Sequence, residues 1–128
     1  MSEQTANIDV YSLLGDIAQT IFDKKGFNIT ALDVRGISTL TDYFLVGEGN
    51  VDKHVIALAK AVQDRLKSTG IVPLHVEGIR EGDWVVLDYG EFIVHLFKPG
   101  LREKYHLEGV WHEGKILDLP LVLPEQKV

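Results

Sequence analysis

Apolar positions recur along this chain with two different periods, and the alternation between them lays out its elements. Val10, Leu13, Leu14, Ile17 and Ile21 share one face of a 3.6-residue period. This predicts a helix that Gly26 is placed to end. The period then drops to two: Leu32 and Val34 alternate with Asp33 and Arg35, which predicts a half-buried strand over 31–36. The run Tyr43-Phe44-Leu45-Val46-Gly47 is denser, as expected of a more central strand. Helical spacing returns with Val55, Leu58, Ala59, Val62 and Leu66, behind Asn50 as N-cap and ahead of Gly70 as stop. Residues 73–78 read as a short strand with Leu74 and Val76 on one face and His75 and Glu77 on the other. Residues 84–88 and 92–97 pair around Gly90 as a hairpin. A short helical stretch then carries Arg102, Tyr105 and Glu108 and closes at Trp111, and the tail from His112, with Pro120 and Pro124, reads as irregular. The order is helix, two strands, helix, three strands, helix, tail. It predicts an α/β domain, a mixed sheet of about five strands covered by helices.

Composition bounds this picture without changing it. At 128 residues the chain is long enough for one domain with a real core, and 45% hydrophobic and 25% charged residues are ordinary for a globular protein. No internal repeat or low-complexity linker divides it. The absence of cysteine excludes disulfides, thiol nucleophiles and cysteine-ligated metals. The start, MSEQTANIDVYS, lacks the basic and apolar segments of a secretory signal and the arginines of a mitochondrial address. No apolar run approaches bilayer length, so the expectation is a cytoplasmic protein without a membrane partner. A net charge of −6, with scattered cations, argues against broad contact with a phosphate backbone and against nucleic-acid specificity. It suits a basic protein partner equally well.

Candidate chemistry concentrates between Trp84 and Trp111, in WVVLDYGEFIVHLFKPGLREKYHLEGVW. Large aromatics and charges so near a hairpin turn suit a core, and they also suit a surface that grips a macromolecule, where aromatic anchors dominate. Core packing is the first expectation for Trp84, with an interface role close behind because Gly82 and Asp83 set it at a strand start. Tyr89 falls in the turn, where a core role is not expected. His95 lies between Val94 and Leu96, on the face opposite Phe92 and Val94, where a hydrogen-bonded structural histidine is the commoner case; Asp88 on the same hairpin is a candidate partner. Arg102 reads first as structural, through an ion pair with a nearby acid. Asp33, Asp42, Asp83, Asp88 and Glu91 fall at or near strand ends, and paired strand acids can hold a catalytic metal. These lack the alternating spacing, and the chain has neither GxxxxGK[ST] nor GxGxxG. The five histidines, His54, His75, His95, His106 and His112, form no metal-ligand pattern. No cofactor or metal is therefore expected.

A set of short motifs, in order, supplies a more specific reading. They are Ala31-Leu32-Asp33-Val34, Thr41-Asp42-Tyr43-Phe44, Val76-Glu77-Gly78, Asp83-Trp84-Val85-Val86-Leu87-Asp88-Tyr89-Gly90, Val94-His95 and Arg102-Glu103-Lys104-Tyr105-His106-Leu107-Glu108, ending at Trp111. Together they resemble the ribosomal silencing factor (Iojap) family from about Asp9 to Trp111. The chain departs from that pattern at Lys98-Pro99-Gly100, where acidic residues are usual. The resemblance implies a nucleotidyltransferase-like fold without enzymatic activity. It implies a repressor that binds the large ribosomal subunit through its fourteenth large-subunit protein, blocks joining of the small subunit, and is a homodimer when free. It places the partner-binding surface at Trp84, Asp88, Tyr89 and Gly90, with His95 and Tyr105 at positions of structural or interfacial role; Glu91, near the same turn, is a candidate partner contact through its charge. The resemblance also divides the chain into a single domain over 1–111 and a C-terminal extension over 112–128. The rival readings are a nucleotide-binding or residual nucleotidyltransferase protein using Asp42, Asp88 and Glu91, and a dimerisation adaptor.

Overall fold

The computed structural model describes residues 9–101, 115–117 and 119. Helix α1 spans Val10–Asp23 and buries Leu14, Ile17, Ala18 and Ile21. Asp9 caps it by accepting the Tyr11 N–H at 3.1 Å. At its end the left-handed residue is Lys25, with φ 73°. Gly26 serves a different need: its N–H donates to the Ile21 carbonyl at 2.8 Å, and a Cβ there would run into the Ile21 side chain. Helix α2 spans Asp52–Lys67 and buries Val55, Leu58, Ala59, Val62 and Leu66. Its N-cap is Val51, not Asn50, and Val51 makes no side-chain cap bond. His54 takes over: its Nδ1 accepts the Asn50 N–H at 2.9 Å, so Nε2 carries the proton and donates to the Lys24 carbonyl at 2.8 Å. That imidazole ties the start of α2 to the end of α1.

Six strands form one sheet: β1 (Phe27–Asp33), β2 (Tyr43–Glu48), β3 (His75–Glu77), β4 (Trp84–Asp88), β5 (Phe92–Phe97) and β6 (Lys115–Leu117). Their order is β3-β4-β5-β2-β1-β6. The central pair β2–β5 is parallel and the others are antiparallel, so the sheet is mixed, as expected. The sixth strand corrects the reading of the tail as irregular. Lys115–Leu117 pairs with β1, with Ile116 opposite Leu32 and Leu117 opposite Ala31. It lies within the extension expected after Trp111. β1 also begins and ends earlier than the predicted 31–36. The chain turns off the sheet after Asp33, whose carboxylate accepts the Arg35 N–H at 3.0 Å and binds its guanidinium at 2.7 Å. The expected helix at Arg102–Trp111 lies outside the described residues.

Both helices cover one sheet face. Ala31, Leu45, Val85, Leu87, Phe92, Val94 and Leu96 point into them and form one core. Each such buried aliphatic side chain contributes about 1.5–3 kcal/mol. Leu32, Val34, Phe44, Val46, Ile93 and Phe97 form a second buried cluster on the opposite face. Strand alternation explains the split, and β5, buried at all six positions, belongs to both.

Candidate partner-binding site

The β4–β5 hairpin reverses through a turn whose tip is Gly90 and Glu91. The Tyr89 N–H donates to the Phe92 carbonyl at 3.0 Å. Gly90 has φ 91°, a conformation that costs an L side chain about 1–2 kcal/mol. The Asp88 carboxylate fixes the turn by accepting the Gly90 N–H at 2.8 Å. Because the hairpin sits between β3 and β2, segments leading into both strands brace it. On one side the Thr41 hydroxyl donates to the Gly90 carbonyl at 2.9 Å, and the Asp42 N–H donates to the Glu91 carbonyl at 3.2 Å. On the other the Leu74 N–H donates to the Asp88 carbonyl at 2.7 Å. Four tethers therefore hold a turn that displays the exposed Glu91 beside the exposed Asp42.

Tyr89 departs from the expectation of a turn residue outside the core. Its ring stacks on Phe92 at 5.0 Å and packs against the helix-side core. Its hydroxyl is buried and finds no hydrogen-bond partner among the described residues. Burial pushes its pKa up to about 12.

Trp84 and His95 sit together on the sheet face away from the helices. Trp84 lies opposite Phe97, and His95 opposite Val86. The Trp84 indole N–H donates to His95 Nδ1 at 3.1 Å, which replaces the expected Asp88–His95 bond. Phe44 and Phe97 flank the imidazole, with ring centres 5.1 and 6.1 Å away. Burial lowers the His95 pKa to about 4, against a smaller opposing pull from the Asp88 charge. The ring is therefore neutral at physiological pH and accepts at Nδ1. At 8% exposure, His95 is buried beneath the indole whose N–H it accepts.

Trp84 is half-buried, packed against the second cluster with its ring 5.3 Å from that of Phe97. Asp83, just before it, pairs with Lys98 at 3.0 Å, so the cation at the departure from the family pattern meets an acid next to Trp84. Asp88, Tyr89, Gly90 and Glu91 come together at one end of the sheet, while Trp84 stands at the other end of β4. Tyr105 lies outside the described residues. Two residues that sequence reasoning did not assign to the surface also flank the turn. Leu40, beside Thr41, is 76% exposed, and Leu74 is 67% exposed with its side chain against Gly90. Period-two alternation set Leu74 on one strand face with Val76; the signal against a strand there is Pro73 just before it, and β3 starts only at His75. Among the described residues, no three His, Asp or Glu side chains gather to hold a metal, and no helix is long and apolar enough to cross a membrane.

The profile of the family described as "Ribosomal silencing factor during starvation" matches residues 7–127. The chain is similar to the ribosomal silencing factor of Bacillus subtilis, with 40% identity over 84% of this chain and 92% of that protein. It is similar to that of Zymomonas mobilis, with 34% identity over 90% and 86%. In three dimensions it resembles the crystal structure of a Chromobacterium violaceum protein with a TM-score of 0.78 and 28% identity, covering 94% of each chain.

Proposed function

The chain belongs to the ribosomal silencing factor family, and from that membership we propose that it is a non-enzymatic, cytoplasmic repressor of translation. In this reading it binds the large ribosomal subunit through the fourteenth large-subunit protein and keeps the small subunit from joining by occupying its place. The observation that carries the reading is the braced β4–β5 hairpin. Its four tethers present a fixed surface at little ordering cost, which is what a binding module needs. Trp84, half-exposed beside the second cluster, is a further aromatic anchor of the kind that dominates interfaces. The acid balance suits a basic ribosomal protein.

The test is a joining assay. Purified large subunits, incubated with the chain and then with small subunits, should sediment as separate subunits with the chain on the large one. Undiminished joining in the presence of bound chain would refute occlusion. Failure to sediment with large subunits would refute the reading as a whole.

A further inference from the structure

Leu40 and Leu74 expose most of their side chains, Leu40 three residues ahead of the central strand β2 and Leu74 immediately ahead of the edge strand β3. Both belong to segments that brace one turn: Thr41 holds the Gly90 carbonyl from one side, and the Leu74 side chain rests on Gly90 from the other. The same end of the sheet carries the exposed carboxylates of Asp42 and Glu91 and the half-buried one of Asp88. Both leucines leave apolar surface in water beside acids on a braced frame, the mix of apolar and charged groups from which protein interfaces are built. The carboxylates select among partners. They repel phosphate, so a nucleic-acid backbone is disfavoured, and they attract lysine and arginine.

We propose that Leu40 and Leu74 form the apolar core of the docking site on the hairpin end, and that its occupant is a protein segment bearing an apolar residue flanked by basic side chains. The inference rests on the reading of the hairpin as the partner-binding surface, and it names the contacts that supply most of the affinity there. Neither leucine belongs to the two buried clusters, so replacement by serine leaves those clusters untouched, and the Leu74 N–H bond to Asp88 that braces the turn is a backbone bond that serine keeps.

The experiment measures binding to purified Bacillus subtilis large ribosomal subunits by co-sedimentation titration for wild type, Leu40→Ser/Leu74→Ser and Glu91→Lys/Asp42→Lys, with thermal unfolding of each as the check on folding. The leucine variant should melt with the wild type and bind about 30-fold or more weakly, the usual effect of losing hot-spot residues. The lysine variant should weaken binding most at low salt. If the leucine variant binds like wild type while the lysine variant weakens, the hairpin end is the site but its leucines are not the core, and this inference fails alone. If neither changes binding, the subunit is held elsewhere and the reading of the surface fails with it. Tighter binding by the lysine variant would identify a phosphate backbone as the occupant and overturn the choice of a protein.

Discussion

At the scale of single residues, the Trp84–His95 pair shows how a structural histidine supports a surface aromatic. The indole N–H is held at 3.1 Å by a neutral imidazole buried between Phe44 and Phe97. Replacing Trp84 with phenylalanine keeps the ring but leaves Nδ1 without that donor, which should cost about 1–3 kcal/mol of stability in urea unfolding. A Trp84→Phe protein as stable as wild type would mean the bond adds nothing. The protonation argument has a definite sign. His95 has a folded pKa of about 4 against an ordinary 6.5, so between those values the unfolded chain binds the proton and the folded one resists it. Stability is unaffected above pH 6.5 and is lost as pH falls toward 4. The group should make the protein about 2 kcal/mol less stable at pH 5 than at pH 7. His95→Phe should remove that part of the slope, and an unchanged slope would show that His95 is not its source. The sequence showed that this histidine sits in an apolar strand facing away from Phe92. It did not show the donor, because whether Trp84 or Asp88 lies in reach depends on strand register and rotamer.

At the scale of elements, the hairpin turn is where local chemistry meets the proposed binding surface. Gly90 is in the left-handed region, and a Cβ there would lie 3.3 Å from the Leu74 side chain. Gly90→Ala should therefore destabilise the domain by about 1–2 kcal/mol in chemical denaturation. It should also weaken partner binding by disturbing the Thr41 and Leu74 braces; an alanine variant with unaltered stability would show that the turn relaxes freely. Both described helices and the hairpin were legible, because amphipathic spacing and a glycine turn are strong local signals. Three features were not. The N-cap of α2 is Val51 and not Asn50, whose N–H donates to His54 one turn on. The end of β1 is set by the Asp33–Arg35 bridge. β6 is three residues long and 72% exposed at Ile116, so its identity comes from pairing with β1 and not from any period. At the proposed partner surface, the turn itself could be read from the sequence around Gly90, while the binding role of its residues rests on the family resemblance. Leu40 could not be read so, because an apolar residue next to a strand carries no mark of which way it faces; for Leu74 the one mark was Pro73 ahead of it.

At the scale of the whole molecule, charge and shape divide the work of recognition. A net charge of −6 gives a long-range field that attracts a basic partner. Surface charges more than about 8 Å apart are largely screened at physiological ionic strength. The leucines and aromatic groups act only on contact and are indifferent to salt. Association should therefore slow as salt rises, while dissociation, governed by the desolvated contacts, changes little. Glu91 is the exposed carboxylate at the tip of the hairpin, where approach is least hindered. If the proposed function holds, Glu91→Lys should thus slow association with the large-subunit partner, and more strongly at about 50 mM than at 500 mM salt. Its dissociation rate should stay close to that of wild type. Leu74→Ser should do the reverse, hastening dissociation with little change in the on-rate. Stopped-flow measurement of both variants at two ionic strengths separates these contributions. An on-rate insensitive to salt and to Glu91→Lys would show that the acidic surface plays no part in the encounter. A Glu91→Lys effect confined to dissociation would instead place that carboxylate inside the desolvated contact.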